Sequence, residues 1–271
     1  MTAGALPTNP ASPRRRRFAR WNPGLALGAV VVALIGSQLV ALALLLAAGG
    51  DDAPQWLSAA GIVVADLVLL GTVVAVARRG TNNLGAATLG IRRTAFLPAL
   101  GWMLLAYFGV TLFNAIWILL VGTGSTPRDT SAGGTELTVA TAVFVTLGVA
   151  IAAPIVEEIT FRGYLFPALT RWKGPWIGAL VCAVVFGLAH FAVYPPELLP
   201  MMAVFGFFAC MLFWFTGSLL PCIALHAMNN ALVVGRDFGW SWEIPVFMVG
   251  CMLLVLLLLM PFARERAPQP A

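Results

Sequence analysis

Long apolar runs alternate with short polar segments along almost the whole chain. Most runs reach or approach the roughly 20 residues that a helix needs to cross a bilayer. The pattern predicts about eight transmembrane helices, so the expected fold class is an all-α polytopic membrane protein. The predicted spans are residues 24–48, 56–77, 95–121, 137–170, 175–194, 200–216, 219–235 and 244–262.

The apolar content continues from the first run to the last, which predicts one membrane domain rather than two. Residues 1–23 are rich in proline, arginine and small polar residues, and we expect a disordered basic tail there. The membrane domain is predicted to cover residues 24–263, with the residues of chemical interest between about 137 and 235. Residues 264–271 are expected to form a short C-terminal tail.

Composition supports the membrane as the solvent of this chain. It has 271 residues, of which 60% are hydrophobic and 10% charged, against about 25% charged in a soluble domain. A soluble fold of this size could not bury so much apolar surface. The net charge of +5 does not indicate a nucleic-acid partner, because the basic residues lie at the ends of apolar runs.

The distribution of basic residues predicts the topology. With the N-terminus in the cytoplasm, arginines and lysines cluster in the inner loops, as the positive-inside rule requires. Eight spans then place both termini in the cytoplasm. The run Arg14 to Arg17 is also typical of a signal peptide, but the apolar run after it is longer than a signal core. We therefore expect a retained helix, in a membrane that composition indicates is a bacterial plasma membrane.

Few ionisable residues lie inside the predicted spans, and these are candidates for function because burying them in a membrane is costly. The chain's two histidines, His190 and His226, are among them. Glu158 and Arg162 are four residues apart, so they share a helix face and can form an ion pair. Glu157 is turned by about 100° from Glu158, which leaves it free to act as a general base.

A predicted turn brings two of these groups to one depth. Residues 172–176 read Trp-Lys-Gly-Pro-Trp, a helix break flanked by interfacial anchors. Glu158 and His190 each lie 16 residues from Gly174, so in an antiparallel hairpin they lie at equal depth. The sequence therefore predicts that Glu157, Glu158 and His190 meet.

Two further pairs share helix faces. Phe186 can pack beneath the imidazole of His190, and His226 can point with Asn230 into one cavity, where both offer donors to an oxyanion. The neighbouring Asn229 is expected to face elsewhere. We interpret Asp66 as interfacial or locally hydrogen-bonded. The four cysteines are interpreted as small buried hydrophobic residues.

Three motifs now carry a resemblance to a known family. The segment Glu157-Glu158-Ile-Thr-Phe-Arg162 resembles the EExxxR motif of the CPBP family, which includes CAAX prenyl endopeptidases and bacteriocin-processing relatives and is also called the Abi family. Phe186 to His190 resembles its FxxxH motif, and His226 to Asn230 its HxxxN motif. All three occur in family order on separate spans.

This resemblance implies an eight-helix intramembrane endopeptidase with a water-filled cavity inside the membrane. By position, Glu157 would activate water with help from His190, while His226 and Asn230 would stabilise the oxyanion. Glu158 and Arg162 would support and orient these groups. The predicted site residues are Glu157, Glu158, Arg162, His190, His226 and Asn230.

The use of a metal is an open question at this stage. Glu157, His190 and His226 could bind zinc and leave a position for water. However, no HExxH motif occurs, and the ligands would come from three helices. The family has been described both as metalloproteases and as glutamate-dependent peptidases. We favour chemistry without a cofactor, with zinc as the alternative.

The expected substrate is a membrane-associated peptide or protein. A transporter or proton relay is the first alternative, since buried Glu and His also serve proton transfer. No internal repeat or matching pair of broken helices supports it. A non-catalytic immunity or scaffold protein of the same fold is the second alternative, and the complete motifs argue against it.

Overall fold

A computed structural model describes residues 21–50, 55–81, 84–122 and 139–265 of the chain. The described parts are predominantly helical. Two π-helical segments interrupt the fourth helical stretch. One short 3-10 turn comes directly before the helix that starts at Leu199, and another follows the last helix. The helices are α1 Pro23–Ala47, α2 Gln55–Arg79, α3 Phe96–Val121, α4 Val139–Val145, α5 Ala153–Glu158, α6 Phe166–Ala189, α7 Leu199–Thr216, α8 Leu220–Asp237 and α9 Glu243–Leu259. The π segments are Thr146–Ala152 and Ile159–Leu165, and the 3-10 turns are Pro196–Leu198 and Met260–Phe262.

Within the described residues, six helices are long and apolar enough to cross a membrane. The all-α polytopic membrane fold is therefore confirmed, whereas the count of eight spans stays a prediction. One of the six, Thr141–Ala189, has 49 residues and contains most of two predicted spans. Helix α8 is not among the six, because its histidine, asparagines and terminal charges lower its hydropathy.

The long fourth candidate is a hairpin rather than one straight helix. Helical geometry is lost at Lys173, with φ −135° and ψ 17°, and at Gly174, with φ 79° and ψ 174°. A positive φ is easily adopted by glycine, which has no Cβ, and Pro175 then starts the second arm. The predicted turn at this position is confirmed, with Trp172 and Trp176 both exposed beside it.

The N-terminal segment is ordered earlier than predicted. Trp21 is only 2% exposed, and its indole Nε1 donates to the carbonyl of Ala77 at 3.2 Å. Its ring meets Tyr164 edge to face at 4.8 Å between centroids. The last residues of the predicted disordered tail 1–23 thus belong to the fold, while residues 1–20 lie outside the described part.

The outer surface matches a lipid environment. Large apolar side chains stand exposed on several helices, including Leu97, Leu119 and Leu257, where water would penalise them. All four cysteines are buried and unpaired by disulfides, which confirms their interpretation as small core residues. The described chain is therefore apolar both inside and outside, and its buried polar groups are the exceptions to explain.

Gly163 lies where the second π segment passes closest to another part of the backbone. A Cβ at this position would lie 2.6 Å from the carbonyl oxygen of Leu89. Gly163→Ala should therefore lower the free energy of unfolding by about 1–3 kcal/mol. The measurement is thermal unfolding in detergent, followed by the reaction of the buried cysteines with a thiol dye.

Gly101 provides the matched control, because a Cβ there meets nothing within 4 Å. Gly101→Ala should leave stability unchanged or raise it by up to about 1 kcal/mol, since alanine favours a helix over glycine. Equal stability of the Gly163→Ala and Gly101→Ala proteins would show that the close approach to Leu89 is not a constraint.

Candidate active site

A fully buried ion pair stands at the centre of the membrane domain. Glu158 ends α5, and Arg162 lies one turn later in the second π segment. Their side chains are both 0% exposed, and Arg162 Nη1 donates to Glu158 Oε1 at 2.7 Å. Nη2 donates to the carbonyl of Gly206 on α7 at 3.1 Å. The guanidinium also lies 4.5 Å from the ring centroid of Phe186 on α6, a cation–π contact.

His226 on α8 contacts both glutamates. Its Nδ1 lies 2.9 Å from Glu158 Oε1, and because a carboxylate only accepts, Nδ1 carries the proton of this hydrogen bond. Its Nε2 lies 3.9 Å from Glu157 Oε2, beyond direct hydrogen-bonding distance. Glu158 therefore fixes the orientation of the imidazole and leaves Nε2 on the side of Glu157.

Adjacent glutamates have different surroundings because of helix geometry. Glu158 is enclosed and occupied by Arg162 and His226, whereas the Glu157 side chain is 18% exposed. Its Oε2 has no hydrogen-bond partner among the described residues. Glu158 Oε2 also lacks a partner among these residues, but its side chain is fully buried and does not line the cavity. Of the two carboxylates, Glu157 is thus the one that a water or a substrate can reach.

His190 is the first residue after α6, and the helix end determines its tautomer. Its backbone N–H bonds to the carbonyl of Gly187 at 3.1 Å, so the carbonyl of Phe186 lacks its usual helical donor. The imidazole Nδ1 lies 2.8 Å from that carbonyl oxygen and must donate to it. In the neutral ring, Nε2 therefore carries the lone pair. The Phe186 ring packs on the imidazole at 4.8 Å between centroids.

Asn230 is held by the first π segment. Its Nδ2 donates to the carbonyl of Val149 at 2.9 Å. A π turn replaces the regular i to i−4 hydrogen bonds, and a side-chain amide from α8 meets this irregular stretch of backbone. One N–H of the Asn230 amide is used in this way, which leaves the second as a donor.

A cavity of about 250 Å³ brings most of the predicted site together. Glu157, His190, His226 and Asn230 all line it, although they come from α5, from the residue after α6, and from α8. Glu158 and Arg162 do not line it; they are packed behind the wall that carries His226. The cavity also has lining residues from α1, α2 and α3, which are helices that carry no motif.

Sequence reasoning missed part of this lining. Asn229 faces the cavity beside Asn230, so the expectation that it points elsewhere was wrong. Asp66 was interpreted as interfacial or locally hydrogen-bonded, yet it is 8% exposed and its Oδ2 has no hydrogen-bond partner in the described part of the chain. Asp66 and Asn114 both line the cavity. The signal that could have identified them is that each is a lone polar residue within an apolar span.

The predicted zinc ligands do not fit a metal centre in this arrangement. Nδ1 of His190 donates to a backbone carbonyl and Nδ1 of His226 donates to Glu158, which leaves Nε2 of each ring as the nitrogen that could bind a metal. Among the described residues, no group of three or more His, Cys, Asp or Glu has an arrangement that could hold a metal ion. Glu157, His190 and His226 line one cavity but do not form such a group.

The fold and this cavity define an all-α integral membrane protein with carboxylate, imidazole and amide groups gathered inside it. Residues 139–232 match the family model described as Rce1-like, type II CAAX prenyl endopeptidase. The match contains all three motifs and confirms the resemblance to the CPBP family. It supports a membrane-embedded protease. Comparisons with curated proteins and with solved structures give no match.

The buried ion pair gives a prediction about stability. Arg162→Met leaves the Glu158 carboxylate without its main counter-charge, so the free energy of unfolding should fall by about 3–5 kcal/mol. Adding Glu158→Gln to that variant removes the unpaired charge and should recover a large part of the loss. Thermal unfolding of the purified proteins measures both effects.

Arg171→Met serves as the control, because Arg171 is exposed at the end of the first arm of the hairpin and should change stability by less than about 0.5 kcal/mol. A double variant no more stable than Arg162→Met would mean that shape and packing at Arg162, rather than charge, hold this region together.

Proposed function

We propose that this protein is an intramembrane endopeptidase that hydrolyses a peptide bond of a membrane-associated peptide or protein. The observation behind the proposal is that a single cavity is lined by Glu157, His190, His226 and Asn230. All four residues lie within the segment that matches the Rce1-like family. The match also favours a peptidase over the transporter and scaffold alternatives. The described geometry supports a metal-free reaction with Glu157 as the base.

In this mechanism, a water molecule lies between Glu157 and His190. Glu157 Oε2 has no partner and takes a proton from the water, while the Nε2 lone pair of His190 accepts a hydrogen bond and orients it. The water oxygen then bonds to the carbonyl carbon of the substrate. The fixed Nδ1 donation to the Phe186 carbonyl keeps the accepting nitrogen of His190 in place.

The negative charge that develops on the carbonyl oxygen needs donors. Asn230 offers its remaining amide N–H. His226 can donate from Nε2 when that nitrogen is protonated, because its Nδ1 proton is already directed at Glu158. The imidazolium would then share the Glu158 carboxylate with Arg162. When the tetrahedral intermediate collapses, the C–N bond breaks and Glu157 returns the proton to the amine, which leaves a carboxylic acid and an amine as products.

Removal of the base should abolish most of the reaction. Glu157→Gln keeps the side-chain size and removes proton acceptance, so cleavage of a fluorogenic membrane peptide should slow by about 100- to 10,000-fold. The assay uses protein in detergent or in liposomes, with a panel of membrane-spanning and membrane-anchored peptides.

Glu197→Gln is the matched control. Trp117 donates to the backbone oxygen of Glu197 at 2.8 Å, a bond that the side-chain change leaves intact, and Glu197 does not line the cavity. Its activity should equal that of the wild type. Full activity of Glu157→Gln would refute the assignment of the base.

Chelation distinguishes the two chemistries that the sequence left open. The predicted zinc ligands do not form a metal-binding group in the described part of the chain, so we expect wild-type cleavage to continue unchanged after dialysis against a zinc chelator. Glu157→Gln should remain inactive with or without added zinc. Loss of wild-type activity on chelation, followed by recovery on zinc addition, would instead establish a metalloenzyme.

A further inference from the structure

Three buried oxygen atoms without hydrogen-bond partners belong to residues that line the same cavity. They are Oδ2 of Asp66 on α2, Oδ1 of Asn114 on α3 and Oε2 of Glu157 on α5. An amide oxygen only accepts hydrogen bonds, and a carboxyl oxygen accepts them when it is ionised. A buried polar atom without a partner is unusual in a native protein and calls for a ligand, a water or a functional role. Glu157 has a role in the proposed reaction, whereas Asp66 and Asn114 have none.

Of these two residues, Asp66 is the more costly to bury, because its carboxyl group can ionise. It lies in the middle of an apolar helix, is 8% exposed and lines the same cavity as Glu157. Two carboxylates at one low-dielectric cavity need positive charge or protons to balance them. Among the described residues that line the cavity, none is Lys or Arg. The nearby Arg162 is occupied by Glu158 and the Gly206 carbonyl.

We propose that Asp66 and Asn114 form a subsite that binds the ammonium or guanidinium group of a basic substrate residue. The protein would then prefer membrane-associated peptides with a lysine or arginine close to the cleaved bond. This inference rests on the proposed function and specifies its substrate class. A lysine or arginine head supplies several N–H donors and no acceptor, which complements the carboxylate of Asp66 and the amide oxygen of Asn114.

The position of the subsite gives it a separate role from the reacting groups. Asp66 and Asn114 lie on helices outside the segment 139–232 that matches the family, while the reacting groups lie within it. The motif-bearing helices would supply the hydrolysis, and α2 and α3 would supply selectivity for charge. Because Asp66 and Glu157 line one cavity, the basic residue would lie within a few positions of the cleaved bond.

The experiment measures binding independently of cleavage. The probes are fluorescein-labelled Leu-Ala peptides of about 20 residues, the length that spans a bilayer, without other basic residues. One lysine is moved along the peptide, and at each position a norleucine peptide is the uncharged partner. Binding to the Glu157→Gln protein in lipid nanodiscs is followed by fluorescence anisotropy, so neither turnover nor the Glu157 charge contributes.

We expect the lysine peptide to bind about tenfold more tightly than its norleucine partner at one or two adjacent positions, as for a hydrogen bond to a charged group. Adding Asp66→Asn should abolish that preference, and the two proteins with two peptides form a double-mutant cycle. Thr72→Val is the control on the same helix. Its hydroxyl bonds to the Val68 carbonyl within α2 and does not line the cavity, so the preference should persist.

Equal binding of lysine and norleucine peptides at every position would overturn the subsite, as would a lysine preference that survives Asp66→Asn. If Asp66→Asn does not fold, Asn114→Leu probes the same subsite from α3, and an unchanged preference there would also overturn it. Cleavage by the wild type decides the proposed function separately. Lysine preference without cleavage would support the subsite and refute the peptidase function. Cleavage without lysine preference would support the peptidase function and refute the subsite.

Discussion

The guanidinium of Arg162 is fully buried, and its contacts connect the helices that carry the candidate active site. It bonds to Glu158 and to the backbone of α7 at Gly206, and it lies over the Phe186 ring of α6. Glu158 extends the connection to His226 on α8. A charge inside a membrane protein must be neutralised and hydrogen-bonded, so these helices can pack only where their groups meet the guanidinium. The arrangement of the cavity wall follows from that requirement.

This constraint also separates the roles of two adjacent, chemically identical residues. Glu158 balances the buried arginine and orients an imidazole, and its fully buried side chain does not line the cavity. Glu157 is turned toward the cavity and retains an oxygen without a partner. Glu158 holds the imidazole of His226, and this places Nε2 of His226 beside Glu157. The pair of glutamates acts as a structural anchor and a reactive group, rather than as two equivalent acids.

The spacing of residues along the chain was enough to predict much of this arrangement. The four-residue separation of Glu158 and Arg162, and the break at Gly174, follow from helical periodicity and glycine chemistry, and both features are present. The two π segments could not be predicted, because π-helix is rare and no residue pattern in these stretches marks it. The same holds for Asp66 and Asn229. Which face of a long apolar helix meets a cavity depends on its neighbours, and no motif marks it.

The irregular backbone around the site explains how a few polar side chains are held in place. In a membrane, a backbone carbonyl that loses its helical partner must find another donor within the protein. At the end of α6, the carbonyl of Phe186 accepts a hydrogen bond from the His190 imidazole. In the first π segment, the carbonyl of Val149 accepts one from the Asn230 amide. Two candidate catalytic side chains thus satisfy backbone groups of the same fold. Their orientation is enforced by the cost of an unpaired carbonyl, so the site is positioned before any substrate enters.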